Sequence, residues 1–544
     1  MLSTVLGILL SIFSPPVDYP ISLAGNFGEP RPNHFHGGLD VKTDGVEGKH
    51  IYSIADGYVS RVTVGLYGFG NAVYITHPSG QTSVYCHLKS FSPRIKAALR
   101  RYQYTHETCV ADARFSPLDV PVSQGQFIAL SGNTGHSTAP HLHLEMHDTR
   151  TWDMLDPYHY LSEFINDTVP PRAHGFMACP TDAGSSFNGG RGKQVFGFPS
   201  HQLSRSFTAW GRIGFALYAD DYMQESYNHY GVRQTILMVD GREVFHSDID
   251  RIPVELTRLV NSWGDYDYWL HHRVWYMRSF VEPGNGLPIL HADEQRGVID
   301  FSEERDYHLE YILRDYKGNE SHYSFVVTGK PYPAPTAGNV GTQGEGPVFH
   351  WNQTNTYSQP GMQLVVPYGS LARDFCLRPS VKECNQLNAF SDMYCFHDCS
   401  LPLITDGKVS IYVQCPVEDS SKLYVTSNGK FMGGDYNDGW VTGRLRELGE
   451  WYELAYDDKA PRINPISLGE RIVLSSYDAE SGIASWTASI DGRFVVFDAI
   501  EKSSSFVCDL RETWLPKTGK SHQLVFSVTD NRNNTQTYET TITY

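Results

Sequence analysis

The chain has 544 residues, enough for three to five domains at roughly 100–200 residues each. Its 44 Lys and Arg against 61 Asp and Glu give a net charge of −17, which excludes the basic face that nucleic acid or an anionic membrane surface requires. Hydrophobic residues at 40% and aromatics at 13% exclude global disorder, and 48 Gly, 30 Pro and 33 Tyr among short Val- and Thr-rich runs point to an all-β protein.

In chain order, the first feature is the apolar run Leu2 to Phe13, followed by Ser14-Pro15-Pro16. It is shorter than the roughly 20 residues that span a bilayer, and it has the length of a signal-peptide core. No Lys or Arg precedes it. Residues 1–16 therefore read as a signal peptide, and the chain as exported to the periplasm or cell envelope. No later segment reads as transmembrane.

Residues 17–165 form the first unit. Short strand-like runs at Ile51–Ala55, Tyr58–Val64, Ala72–Thr76, Thr82–His87, Phe127–Leu130 and His141–Met146 are separated by Gly-rich turns, the pattern of an antiparallel sheet. An insertion lies between Leu88 and Val122, and its stretch Pro93–Tyr102 is the best helix candidate of the unit.

After Asp156-Pro157 the remaining chain reads as three β-sandwich-like domains, at 166–330 (with an insertion), 345–455 and 456–544 (Ig-like). A weak internal repeat supports the first and last. Val239-Asp-Gly-Arg-Glu-Val-Phe245 resembles Ile490-Asp-Gly-Arg-Phe-Val-Val-Phe497, and Asp315-Tyr-Lys-Gly-Asn319 resembles Asp530-Asn-Arg-Asn-Asn534. Each pair reads as an Asp-Gly hairpin and then a turn entering a final strand. Pro-rich Lys330–Gly338 and the segment Asp457–Pro461 read as boundaries. Asp435-Tyr-Asn-Asp-Gly439 has the look of a calcium-loop fragment but lacks the closing glutamate, so it reads as a hairpin turn. Of nine cysteines, Cys376, Cys384, Cys395, Cys399 and Cys415 cluster, which in an exported chain reads as local disulfides.

Two arrangements carry chemistry. In Pro140-His-Leu-His-Leu-Glu-Met-His147, strand alternation puts His141, His143 and Glu145 on one face and Leu142, Leu144 and Met146 on the core face. Alternate residues stand about 6–7 Å apart along a strand, too far for both histidines to bind one zinc directly without strain. The spacing suits one ligand and one neighbour acting on water. His147 lies too far along to join them. Upstream, His36 and Asp40 offer a nitrogen and an oxygen from a loop made pliable by Gly37 and Gly38. Two imidazoles and one carboxylate suit zinc and leave a position open for catalysis.

These residues resemble the lysostaphin/LytM-type zinc metallopeptidase family. The match runs through Gly25–Asp40, Ala55–Ser60, Gly68–Asn71, Tyr85–Leu88, Gly125-Gln126 and Gly132–Glu145, in order and with agreeing spacing. The resemblance implies Zn²⁺ held by His36, Asp40 and His143, with His141 and His87 as catalytic histidines. It implies hydrolysis of peptide bonds in the stems or cross-links of bacterial peptidoglycan. Ala139 and Leu144 replace the family's usual Gly and Phe, and the insertion after His87 is expected to reshape one wall of the groove. Glu145 reads equally as an orienting neighbour or a solvated strand residue, His34 and His77 as surface histidines, and Tyr85 as a strand aromatic. The rival readings are a catalytically silent peptidase-like scaffold or activator of cell-wall hydrolases, and a zinc peptidase acting on a protein. Residues 166–544 repeat no His/Asp ligand pattern and read as spacing or recognition modules.

Overall fold

Alternation along His141–Asp148 organises the first unit. The structure, a computed structural model, describes residues 13–65, 68–224, 226–333, 346–384, 389–398, 400–500 and 502–544. The unit contains strands β1 (Leu23–Gly25), β2 (Gly38–Lys42), β3 (His50–Tyr52), β4 (Gly57–Val64), β5 (Ala72–Thr76), β6 (Gln81–Cys86) and β7 (Leu88–Phe91). Helix α1 (Pro93–His106) follows, then β8 (Ala111–Arg114), β9 (Phe127–Ser131) and β10 (His141–Asp148). The main sheet runs β1-β2-β10-β6-β5-β4-β8, antiparallel throughout, and β3-β9-β7 form a second small sheet. Leu142, Leu144 and Met146 are fully buried and share one core with Leu39, Val41, Val73, Ile75 and Tyr85. Helix α1 starts with Pro at its first turn, buries Ile95, Ala98 and Leu99 at helical spacing, and ends at Glu107 in the left-handed region.

The protein is all-β beyond this unit as well. Among the described residues the later buried hydrophobics gather chiefly in three further cores. One spans residues 173–327 and is rich in phenylalanine, with Phe176 stacked on Phe325 at 4.3 Å. The next, within 349–454, lies between two five-stranded sheets. The last, built mainly from residues 472–544, lies between two four-stranded sheets. Both Asp-Gly pairs of the repeat are two-residue hairpin turns. Asp240 and Gly241 have φ of 50° and 77°, Asp491 and Gly492 have 49° and 75°, and each joins directly paired strands. Asp438-Gly439 is a third such turn, as expected of the would-be calcium loop.

Two expectations change. The eight described cysteines, Cys376, Cys384, Cys395 and Cys415 among them, are free thiols and not local disulfides; Cys399 lies outside the described residues. The apolar run up to residue 12 and most of the Pro-rich boundary, 334–345, also lie outside them. Ser14, assigned to the leader, donates its backbone N–H to Ile54 O, and Phe13 packs on Tyr160, so residues 13–16 are seated on the first unit.

The first unit is also not an isolated bead. Met154-Leu155 pairs with Arg251-Ile252, extending the main sheet into the next unit. Asn26 exchanges two hydrogen bonds with the backbone of Gly231, at 2.7 and 2.8 Å, and Tyr230 donates to Leu23 O from within the first core. Phe27, Phe35 and Met154 share a buried cluster with Ile249, Ile252, Trp263 and Ile404. On the opposite flank, Cys109 and Tyr104 enter the C-terminal core and Arg100 pairs with Asp498.

A fragment of residues 17–165 would expose these faces, at about 1.5–3 kcal/mol for each large apolar side chain uncovered. We expect the isolated fragment to melt at least about 10 °C below the same unit in the full chain, measured by near-ultraviolet circular dichroism. Equal melting temperatures would show that the neighbours add no support.

Candidate functional site

The site is built on strand register. β2 and β10 pair so that Asp40 lies directly opposite His143, and β6 flanks β10 with Cys86 opposite His143 on its other side. Asp40 thus projects from a strand and not from the loop expected. The two glycines serve close approach and not pliability. A Cβ at Gly38 would lie 2.2 Å from the Leu144 carbonyl oxygen, and one at Gly37 would lie 2.6 Å from Glu145 Oε1. His36 reaches the same point from the segment entering β2.

Three atoms converge there. His36 Nε2 lies 2.9 Å from Asp40 Oδ1 and 2.9 Å from His143 Nδ1, and His143 Nδ1 lies 2.7 Å from Asp40 Oδ1. The far nitrogens are committed elsewhere: His36 Nδ1 donates to Asn26 O at 2.6 Å, and His143 Nε2 donates to Glu145 Oε1 at 2.9 Å. Each far nitrogen donates, so the inward nitrogens are the ones that bind a metal once unprotonated. Two inward nitrogens and a carboxylate oxygen facing one another, all buried, form the donor set of a cation. The residues present therefore fit a bound metal.

The electrostatics agree. Burial lowers the His36 pKa to about 4, keeping the ring neutral. Burial works to raise Asp40, but the electrostatic pull of neighbouring His36 and hydrogen bonding with the His141, His143 and His36 rings outweigh it and hold the carboxylate well below its usual range. Burial also opposes a charged His143, but Asp40 and Glu145 overcome it and raise its pKa to about 9.

The other two histidines flank this point without joining the ligand triangle. His141 Nδ1 donates to Ala139 O at 2.8 Å, which leaves Nε2 turned inward, 3.3 Å from Asp40 Oδ1. His87 follows β6 with a positive φ of 59°, and its Nδ1 donates to Thr134 O at 2.7 Å. Its ring stands 4.9 Å from that of His141 and 5.7 Å from that of His143, centroid to centroid. Burial, then His143 and His141, lower the His87 pKa to about 3, so it is a neutral base.

Sequence reasoning left Glu145 open and set His147 aside, and the structure decides both. Glu145 is buried and accepts from His143 Nε2 and from His147 Nε2, the latter at 2.7 Å. His147 stacks on Trp152 at 4.3 Å. Glu145 and His147 therefore orient His143 from behind. Arg31, not singled out before, binds Asp40 Oδ2 at 2.8 Å and fixes the carboxylate from the side away from His143; it lies within the Gly25–Asp40 stretch that carries the family resemblance. His77, expected at the surface, is buried between Asp56 O and Ser83 Oγ. His34 is exposed, and buried Tyr85 accepts from the Ile54 N–H.

These groups line an open cleft of about 980 Å³. Its walls include Asn228, Val254 and Thr257 of the second unit, which no motif signalled. The insertion between His87 and Gly125 was expected to form a wall; none of it does, because α1 faces the C-terminal unit instead.

The description "Peptidase family M23" matches residues 34–103, and "Zu5-like domain" matches residues 346–457. The first of these matches falls on the N-terminal unit, over the segment that holds His36, Asp40 and His87. It is 32% identical over 137 residues to an uncharacterized metalloprotease of Haemophilus influenzae, an alignment covering 25% of this chain and 22% of that protein. The chain thus spans about a fifth of that relative's length. Among solved structures, the catalytic domain of the antimicrobial peptidase lysostaphin from Staphylococcus simulans is 23% identical, covering 25% of this chain and 89% of that one, with a TM-score of 0.19. A zinc-containing peptidase from Vibrio cholerae is 30% identical, covering 24% and 35%, with a TM-score of 0.18.

A divalent transition metal must displace the proton on His143, whose pKa is raised to about 9 by Asp40 and Glu145. Apparent affinity should therefore rise about tenfold per pH unit below about 9 and level off above it. Competitive titration with a metal indicator between about pH 6 and 8 should show roughly a hundredfold increase. A pH-independent affinity over that window would place His143 outside the ligand set.

Proposed function

We propose that the N-terminal domain is a zinc metalloendopeptidase that hydrolyses peptide bonds in the stems or cross-links of bacterial peptidoglycan. The observation that carries this reading is the convergence of five side chains in one open cleft, three offering donor atoms to a cation and two presenting imidazoles beside it. His36, Asp40 and His143 would hold the metal, and two nitrogens with one oxygen suit zinc. When bound, zinc supplies Lewis acidity toward a carbonyl and makes water nucleophilic near neutral pH. The 32%-identical metalloprotease supports the peptidase reading, and the mixed nitrogen and oxygen donor set supports the choice of metal. The peptidoglycan substrate rests on the motif resemblance, and export to the periplasm or envelope rests on the apolar N-terminal run.

The two flanking histidines do the proton work. Each gives its Nδ1 proton to a backbone carbonyl, Ala139 O or Thr134 O, so its Nε2 is free to accept a proton from attacking water. Once protonated, the same nitrogen can donate to the oxyanion or return the proton to the departing amine. His87, held neutral by burial beside two other imidazoles, is suited to the first of these tasks. Asn228, Val254 and Thr257 give the cleft a second wall against which an extended peptide can lie.

Digestion of purified peptidoglycan by the metal-loaded chain, with fragments identified by mass, tests this. New peptide amino termini are expected. His141→Ala and His87→Asn should keep one metal per chain yet lose about 10²–10⁴ in turnover. Asn is chosen at 87 because it tolerates the left-handed backbone there. Full turnover in both variants would reject these roles. Absence of cleavage by the metal-loaded chain would favour the silent scaffold or activator.

A further inference from the structure

Away from the cleft, three acidic side chains meet at the junction between the first and second units. Asp167 lies in the segment leaving the first unit, Asp221 at the end of the long strand Gln202–Asp220, and Asp315 in the turn between Asp306–Arg314 and Glu320–Gly329. All three are buried, at 6%, 3% and 5% exposure, and one carboxylate oxygen of each lies within 4.8 Å of the others. Among the described residues none of the three makes an ion pair with Lys, Arg or His. Lys317, whose charge reaches Asp167, gives its ammonium to Ser162 O.

Two buried polar atoms at this point have no hydrogen-bond partner: Asp221 Oδ1 and the hydroxyl of Tyr158, a residue 4% exposed. The phenol is close enough to feel all three carboxylates. The remaining oxygens are oriented. Asp167 Oδ1 accepts from Val169 N, and Asp315 accepts from Asn319 through its backbone N–H at 2.9 Å and its side-chain amide at 2.6 Å. That amide also reaches Asp167 O at 3.4 Å. Burial and then the neighbouring carboxylates raise Asp221 to about 9, and burial with Asp315 raises Asp167 to about 6. Three buried carboxylates this close oppose one another's ionisation, and a cation held among them would relieve that opposition.

The sequence repeat places the same constellation a second time. Asp457, Asp478 and Asp530 also bring carboxylate oxygens within 4.8 Å of one another. Asn534 bonds Asp457 O at 2.9 Å and Asp530 Oδ2 at 2.8 Å, as Asn319 bonds its counterparts. The arrangement is thus a property of the repeat and not an accident of one loop. The second cluster is more open at Asp478, and Asp457 and Asp530 have both carboxylate oxygens bonded, so the argument is confined to the first.

We propose that Asp167, Asp221 and Asp315 form a calcium site that fastens the segment leaving the peptidase domain to the sheet that follows. An all-oxygen set of three carboxylates suits a hard cation, and calcium accepts six to eight oxygens in adaptable geometry, whereas zinc favours nitrogen and sulfur. Tyr158 Oη and the Asp167 carbonyl stand nearby as neutral oxygens. The site is independent of the cleft and stands whether or not the peptidase reading holds.

The test is equilibrium dialysis of the full chain against ⁴⁵Ca²⁺ in chelator-treated buffer with equimolar zinc, together with thermal melts. Wild type should bind at least one Ca²⁺ per chain at about 1 mM or below. Asp221→Asn, nearly isosteric, should bind one fewer. Without calcium it should be at least as stable as wild type, because folding no longer buries an ionisable carboxyl in the cluster, and the calcium-dependent rise in melting temperature should shrink. Asp167→Asn gives the same reading should the first variant fail to fold. Absence of binding to wild type, an unchanged number bound in both variants, or an equal thermal rise with Mg²⁺ would each overturn the assignment.

Discussion

The antiparallel register between Gly38–Lys42 and His141–Asp148 is the constraint on which the site depends. It sets Asp40 opposite His143, and everything else at the centre is placed relative to that pair. A slip of one residue would turn His141, His143 and Glu145 into the core and Leu142 and Leu144 into the cleft. The register is held from both sides. The leucine face is buried without exposure, and Gly38 lets the two backbones approach more closely than any side chain would allow. The ligand atoms are then fixed by groups behind them: Asn26 O for His36, Arg31 for Asp40, and Glu145 with His147 for His143. Such backing converts three flexible side chains into one preformed donor set.

The later units are joined to the first by packing as well as by chain. One flank of the first unit shares a strand pair, a buried apolar cluster and the Tyr230 anchor with residues 220–290. The other flank sends α1 and Cys109 into the C-terminal core. The cleft therefore has a wall from outside the first unit, and the acidic junction at Asp167 sits on the path connecting that wall to the main sheet. A modular reading of spacers and recognition domains understates this coupling.

Much of this was legible in the sequence where local pattern decides the outcome. Strict alternation marked His141–Met146, Pro93 with apolar residues at helical spacing marked α1, and Asp-Gly pairs marked the hairpins. All five histidine and aspartate candidates meet in the cleft. What escaped depends on long-range contact. Gly37-Gly38 reads locally as a loop, because only the Leu144 carbonyl and Glu145 across the sheet explain why a strand needs glycine there. The same holds for His77, whose partners are Asp56 O and Ser83, and for the cysteines, whose clustering suggested bonds that the eight described ones do not make. Asp167, Asp221 and Asp315 are separated by whole strands, so their meeting left only the repeated Asp-x-x-x-Asn turn as a trace, which reads sufficiently as a turn.

In the proposed site His36, Asp40 and His143 bind one zinc through two imidazole nitrogens and one carboxylate oxygen. X-ray absorption at the zinc edge of the full chain loaded with one equivalent reads this ligand set. The expected spectrum has nitrogen and oxygen at about 2.0–2.2 Å with the multiple scattering of two imidazoles. Sulfur at about 2.3 Å, or no imidazole scattering, would place the metal elsewhere and overturn the ligand assignment.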